Sequence, residues 1–206
     1  MILVGFDPGG LNNFGWAVLE IGPAASLSRL ESGAAVSSKA AWRAVTEHVT
    51  QPPAGVGIDA PLYWSEDGDR QADAAIRRRV IAAGGHGATV NAVNSMQGAC
   101  LVQGILLARR AAASWPEALI TECHPKALLR IHAEAQRFVA AHIGASISEH
   151  ARDAALAAYA AWAIVVLICN SAGCKLFFLM NSCPTHHRIV GSSAERYVDV
   201  CLPVSW

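Results

Sequence analysis

The chain has no surplus of charge. Its 16 Lys and Arg balance 16 Asp and Glu, so the net charge is zero with His neutral. That removes the basic excess on which tight, sequence-independent nucleic-acid binding usually rests. Cysteine is present but not in metal-binding order: Cys100, Cys123, Cys169, Cys174, Cys183 and Cys201 form no CxxC pair and no zinc-type spacing. His186-His187 has no second ligand pair at metal spacing and reads as surface loop. No Ser/Gly/Pro-rich linker or charge run divides the 206 residues, and 53% hydrophobic content can bury a sizeable core, so one domain is expected over 1–206, with 170–206 as a C-terminal extension. The apolar run Ile2 to Phe6 is too short for a secretory h-region, which makes a cytoplasmic location the expectation. The longest apolar run, Ala154 to Cys169, falls short of a comfortable membrane span and reads as a buried helix.

What the chain does have is carboxylates at the ends of short apolar runs. Ile2 to Phe6 stops at Asp7, Val56 to Ile58 at Asp59, and Ala118 to Thr121 at Glu122, and turn residues follow each acid: Pro8-Gly9-Gly10, Pro61 and Pro125. Short branched runs closed by turns are buried strands. The carboxyl ends of parallel strands are where open α/β sheets gather their ligands. A fourth acid, Asp153, opens a long Ala-rich helix, with His150 three residues before it and so on the same helical face. Convergent acids repel one another unless a cation sits among them, and oxygen ligands suit Mg²⁺ or Mn²⁺.

The order of elements is legible. Ile2–Asp7, Phe14–Glu20 and Ser26–Gly33 read as three strands, the second able to return antiparallel beside the first. Ser37 or Ser38 caps a helix to about Val49, ended by Pro52-Pro53. Val56–Asp59 is a fourth strand. Two helical stretches between Asp69 and Arg110 flank a Gly84-Gly85-His86-Gly87 loop expected to be mobile. Ala118–Glu122 is a fifth strand, and Glu149 to about Ile168 the long helix. Leu176-Phe177-Phe178-Leu179 and Tyr197 to Leu202 could pair as an added ribbon.

Three strands, helix, strand, helical region, strand, helix is the ribonuclease H-like order: α/β, with a mixed five-stranded sheet flanked by helices and a C-terminal β extension. Asp7 in GFDPG, Asp59 in GIDAP, Glu122 in TECHP and the HARDAALAAYAAWA segment resemble the motifs of the predicted-nuclease family, domain of unknown function 429, and more distantly those of RuvC-type resolvases. The resemblance spans roughly Met1 to Ala163. It implies a metal-dependent nuclease acting on DNA or RNA, with Asp7, Asp59, Glu122, His150 and Asp153 as the catalytic set. No membrane partner is expected, and a homodimer is left open. Alanines at 154, 155, 157, 158, 160, 161 and 163 keep the last helix thin and let Asp153 approach Asp7. Asp7 could then bridge two metals about 4 Å apart, with Asp153 on one side and Asp59 or Glu122 on the other. His150 would be an outer ligand or a proton shuttle.

Each residue also has a structural alternative. Asp7 and Asp59 could be turn formers, Glu122 could cap the helix at Pro125 through His124, Asp153 could be a first-turn acid and His150 a cap-region residue. Arg70 and Arg77, seven apart, could hold substrate phosphates or belong to a solvated face with pairs such as Asp73 to Arg77. Cys123, beside Glu122, reads as packing rather than nucleophile. A phosphotransferase of the actin and sugar-kinase class shares the fold, but Leu11-Asn12-Asn13-Phe14 makes a poor phosphate cradle. A non-enzymatic scaffold is the third reading, separable by its indifference to metal.

Overall fold

The computed structural model describes residues 1–63, 69–91 and 98–168 in full, and the backbone of 169–171. Residues 170 and 171 of the expected extension continue the last helix, and 172–206, with His186-His187 and Cys174, Cys183 and Cys201, lie outside the described residues. β1 (Ile2–Asp7), β2 (Phe14–Ile21) and β3 (Leu27–Ala35) form an antiparallel meander, and β4 (Gly55–Ile58) and β5 (Leu119–Glu122) run parallel to β1. The sheet order is β3-β2-β1-β4-β5, the ribonuclease H-like arrangement, with strand ends within a residue or two of those expected.

The helices are α1 (Ser38–His48), α2 (Gln71–Ala82), α3 (Gly98–Ser114), α4 (Pro125–Ile131), α5 (Ala133–His142) and α6 (Glu149–Ser171). Ser37 caps α1, its hydroxyl accepting from Ala40 N–H at 3.3 Å. The Gly84–Gly87 run, expected to be a mobile loop, is a hydrogen-bonded helix stop. Gly84 takes φ +72°, Gly84 N–H donates to Ile81 and Gly85 N–H to Val80, the paired bonds of a Schellman motif. His86 Nδ1 then accepts from Ala88 N–H and starts a 3-10 turn.

Strand alternation divides the core into two layers. Val4 and Phe6, with Val18, Val56, Ile58 and Ile120, face α1 and α3, where Trp42 stacks between Phe6 and Trp115. Leu3, Ala17 and Leu19 face α6. The approach of α6 to the sheet depends on glycine as well as alanine. A Cβ on Gly5 would lie 1.8 Å from Ala154 O, one on Gly57 1.8 Å from Ala157 O, and one on Gly15 2.1 Å from His150 O. The helix backbone therefore rests directly on the strands. By length and composition Glu149–Ile168 could cross a membrane, contrary to the shortfall read from its apolar run, but here its alanine stripe covers the sheet.

Candidate functional site

α6 starts at the strand tips. His150 lies over Gly15, the partner of Asp7, and the helix then descends past Gly5 and Gly57 toward Gly55. This puts His150, Asp153, Asp7 and Asp59 on one face and at one end of the sheet. β1 and β4 are parallel neighbours, and Asp59 N–H continues their ladder by donating to Phe6 O at 2.9 Å.

Asp7 is nearly buried, and its Oδ2 lies 2.6 Å from His150 Nδ1. Burial pushes the Asp7 carboxyl up to about 6, assisted by the Asp153 charge and opposed by His150. Asp59 is half-buried and is driven well up, first by burial and then by the charges of Asp7 and Asp153. Asp153 is raised by burial, although the Arg152 guanidinium donates to its Oδ1 at 2.7 and 2.9 Å. Asp7 Oδ1, Asp153 Oδ2 and the whole Asp59 carboxylate have no hydrogen-bond partner among the described residues. Lys126 on α4, unnoticed in the sequence, pairs with Glu149 at 2.9 Å and lies near enough to lower Asp7, Asp59 and Asp153 alike.

Glu122 belongs to a different group. It pairs in register with Ile58, whose side chain faces α1 and α3, so the pleat turns Glu122 away from Asp7 and Asp59. The next residue, Cys123, faces α6 instead, its thiol against Leu156 O and its pKa pushed well up by burial, consistent with packing. Glu122 accepts from Leu62 N–H at 3.1 Å and from two Arg70 nitrogens at 2.8 and 2.6 Å. Arg70 also forks onto Asp73 at 2.8 Å through both Nε and Nη2, and Tyr63 stacks on it at 4.5 Å. Burial opposes ionisation of Asp73 and Glu122, but His124 and Arg70 hold both below their usual values. His124, 3.4 Å from each acid, is held up at about 10: burial lowers it, and Asp73 and Glu122 more than offset that.

Ligand atoms of Asp73, Glu122 and His124 lie within 4.8 Å of one another, so this set could hold a metal ion. Asp7, Asp59 and Asp153 do not close to that spacing. The cations already in the tighter set, Arg70 and protonated His124, nevertheless balance its two carboxylates, whereas the charge at the strand tips is left over.

The arginines expected to bind phosphate are otherwise engaged. Arg70 is 3% exposed and fully committed to Asp73 and Glu122, which corrects that expectation. Arg77 is clamped between Asp69, at 2.7 and 3.0 Å, and Val90 O. Its partner is Asp69 rather than Asp73. The sequence contained the signal for this cluster, since Arg70 and Asp73 are three apart at a helix start and His124 follows Glu122 by two.

The model of the family described as protein of unknown function (DUF429) matches residues 5–137. No curated protein and no solved structure matches the chain.

Proposed function

The chain belongs to the DUF429 family, and on that premise we propose that it is an enzyme, a metal-dependent hydrolase of phosphodiester bonds in nucleic acid. The observation that carries this reading is the gathering of three acids at the strand tips: Asp7 and Asp153 both raise the Asp59 carboxyl, Asp153 also raises Asp7, and each acid keeps at least one oxygen without a hydrogen-bond partner among the described residues. An all-oxygen donor set of this kind fits Mg²⁺ or Mn²⁺, held by Asp7, Asp59 and Asp153. Such an ion, when bound, supplies a water acidic enough to attack at neutral pH and stabilises the leaving oxygen.

The chain's own residues do the rest. Asp7 Oδ2 fixes the His150 ring through Nδ1, which leaves Nε2, on a side chain 35% exposed, to exchange protons with an attacking water or a departing oxygen. Arg152 holds Asp153 by one oxygen and leaves the other for a cation. Lys126 places a positive charge beside the three acids, where a phosphodiester would approach. Glu122 is assigned to holding the segment after Asp59 in place, through Leu62 N–H, rather than to the strand-tip metal.

The test is a thermal-shift titration with Mn²⁺ paired with cleavage of a labelled oligonucleotide. Wild type should gain stability with Mn²⁺ and cleave, and Asp59→Asn and Asp153→Asn should lose both responses. If wild type shows neither, the scaffold reading replaces this one. If the metal response survives Asp59→Asn and Asp153→Asn but is lost in Asp73→Asn, the ion sits in the Asp73, Glu122 and His124 set.

A further inference from the structure

The sheet face opposite α6 carries a second polar feature, an open groove of about 440 Å³ between α1 and α3. Ser37, Lys39, Trp42, Arg43, Thr46 and Arg110 line it, and no carboxylate among the described residues does. In a chain of zero net charge this is a local concentration of three cations and two hydroxyls. Arg43 is shared with Glu47 at 3.6 Å across an exposed pair of little strength. Lys39 and Arg110 have no carboxylate partner among the described residues.

Arg110 is also preorganised. Its guanidinium lies 4.4 Å over the Trp42 ring, and Trp42 is wedged between Phe6 and Trp115, so the cation rests on an immobile surface with its edge free to donate. The groove begins at the sheet end that carries Asp7. Asp7 pairs with Gly15 and Gly15 with Ala34, so the chain entering α1 lies two strands away, about 10 Å. Asn12 N–H, in the turn after Asp7, donates to Val36 O and ties the two places together.

We propose that the groove of Lys39, Arg43 and Arg110 binds the phosphate backbone of the nucleic-acid strand whose scissile bond lies at Asp7. This rests on the phosphodiesterase reading above. The guanidinium forks of Arg43 and Arg110 and the Lys39 ammonium suit phosphate oxygens.

The experiment is fluorescence anisotropy of a labelled 20-nucleotide single-stranded DNA, in EDTA, across a salt series. Lys39→Glu with Arg110→Glu should weaken binding by about tenfold or more and lower the salt slope by about 1.4, two phosphates' worth. Arg109→Glu with Arg130→Glu, an equal change of charge at exposed residues outside the groove, should leave the slope unchanged. Equal losses in both pairs, or no loss in the groove pair, would overturn the proposal. So would displacement of the DNA by polyglutamate at matched charge concentration, which would make the groove an acidic-peptide site. Binding in EDTA depends on neither metal nor cleavage. A failed groove can therefore be told from failed phosphodiester chemistry.

Discussion

Asp7 carries charge that the fold does not neutralise, and that has a thermodynamic sign. An acid whose pKa is 3.8 unfolded and about 6 folded favours the folded state while protonated and costs stability once ionised. The cost begins near pH 4 and is complete above about pH 6. Asp7→Asn, neutral throughout, should flatten this fall and leave the metal-free protein at pH 7 equally stable, or more stable by up to about 3 kcal/mol. Urea denaturation in EDTA at a series of pH values checks it, and a loss of a kcal/mol or more would make Asp7 structural. The Glu122 group has the opposite economy. Arg70→Met removes a buried countercharge from two acids and should cost about 3–5 kcal/mol in the same assay. His124, at about 10, contributes stability that is complete below about pH 6.5 and lost as pH rises through about 10, so His124→Gln should abolish that part of the alkaline decline. The acids of the site were legible because Asp7 and Asp59 each end an apolar run and Asp153 opens one, three residues after His150. The side on which each projects was not, because that depends on pairing register: Glu122 aligns with Ile58 and not with Asp59, a difference of one residue that reverses the face.

α6 shows how far periodicity carries and where it stops. Its alanines announce a close approach, and the His150, Asp153 and Ala157 spacing announces the face. The receiving surface, however, is made of Gly5, Gly15 and Gly57, whose meaning appears only once the helix backbone is seen against them. Gly57→Ala should destabilise by about 1–3 kcal/mol or more, because the new methyl meets a carbonyl rather than a flexible side chain. Thermal denaturation measures this, and a neutral result would mean that α6 can lift from β4 at no cost. The five strands and the longer helices were readable from alternation, caps and breakers. α5 was not, because only Ala135 and Phe138 of its ten residues are buried and its apolar stripe is too thin to stand out.

At the scale of the whole molecule, the balance of charge conceals a separation. Three acids, Asp7, Asp59 and Asp153, gather at the strand tips on the α6 side, and Lys39, Arg43 and Arg110 line the groove on the other side. Cation binding to the tips competes with protons, so the Mn²⁺-induced rise in melting temperature should be small near pH 5 and grow as pH increases through about 6. Scanning fluorimetry at fixed Mn²⁺ checks this, and a shift independent of pH would remove Asp7 from the ligand set. The 2.6 Å contact between Asp7 and His150 joins residues 143 positions apart. During synthesis at about 5–20 residues per second, β1 therefore leaves the ribosome many seconds before the helix that completes its site. A nascent chain carries Asp7 before its His150 partner exists, and the strand-tip cluster is complete only when α6 has been made and docked.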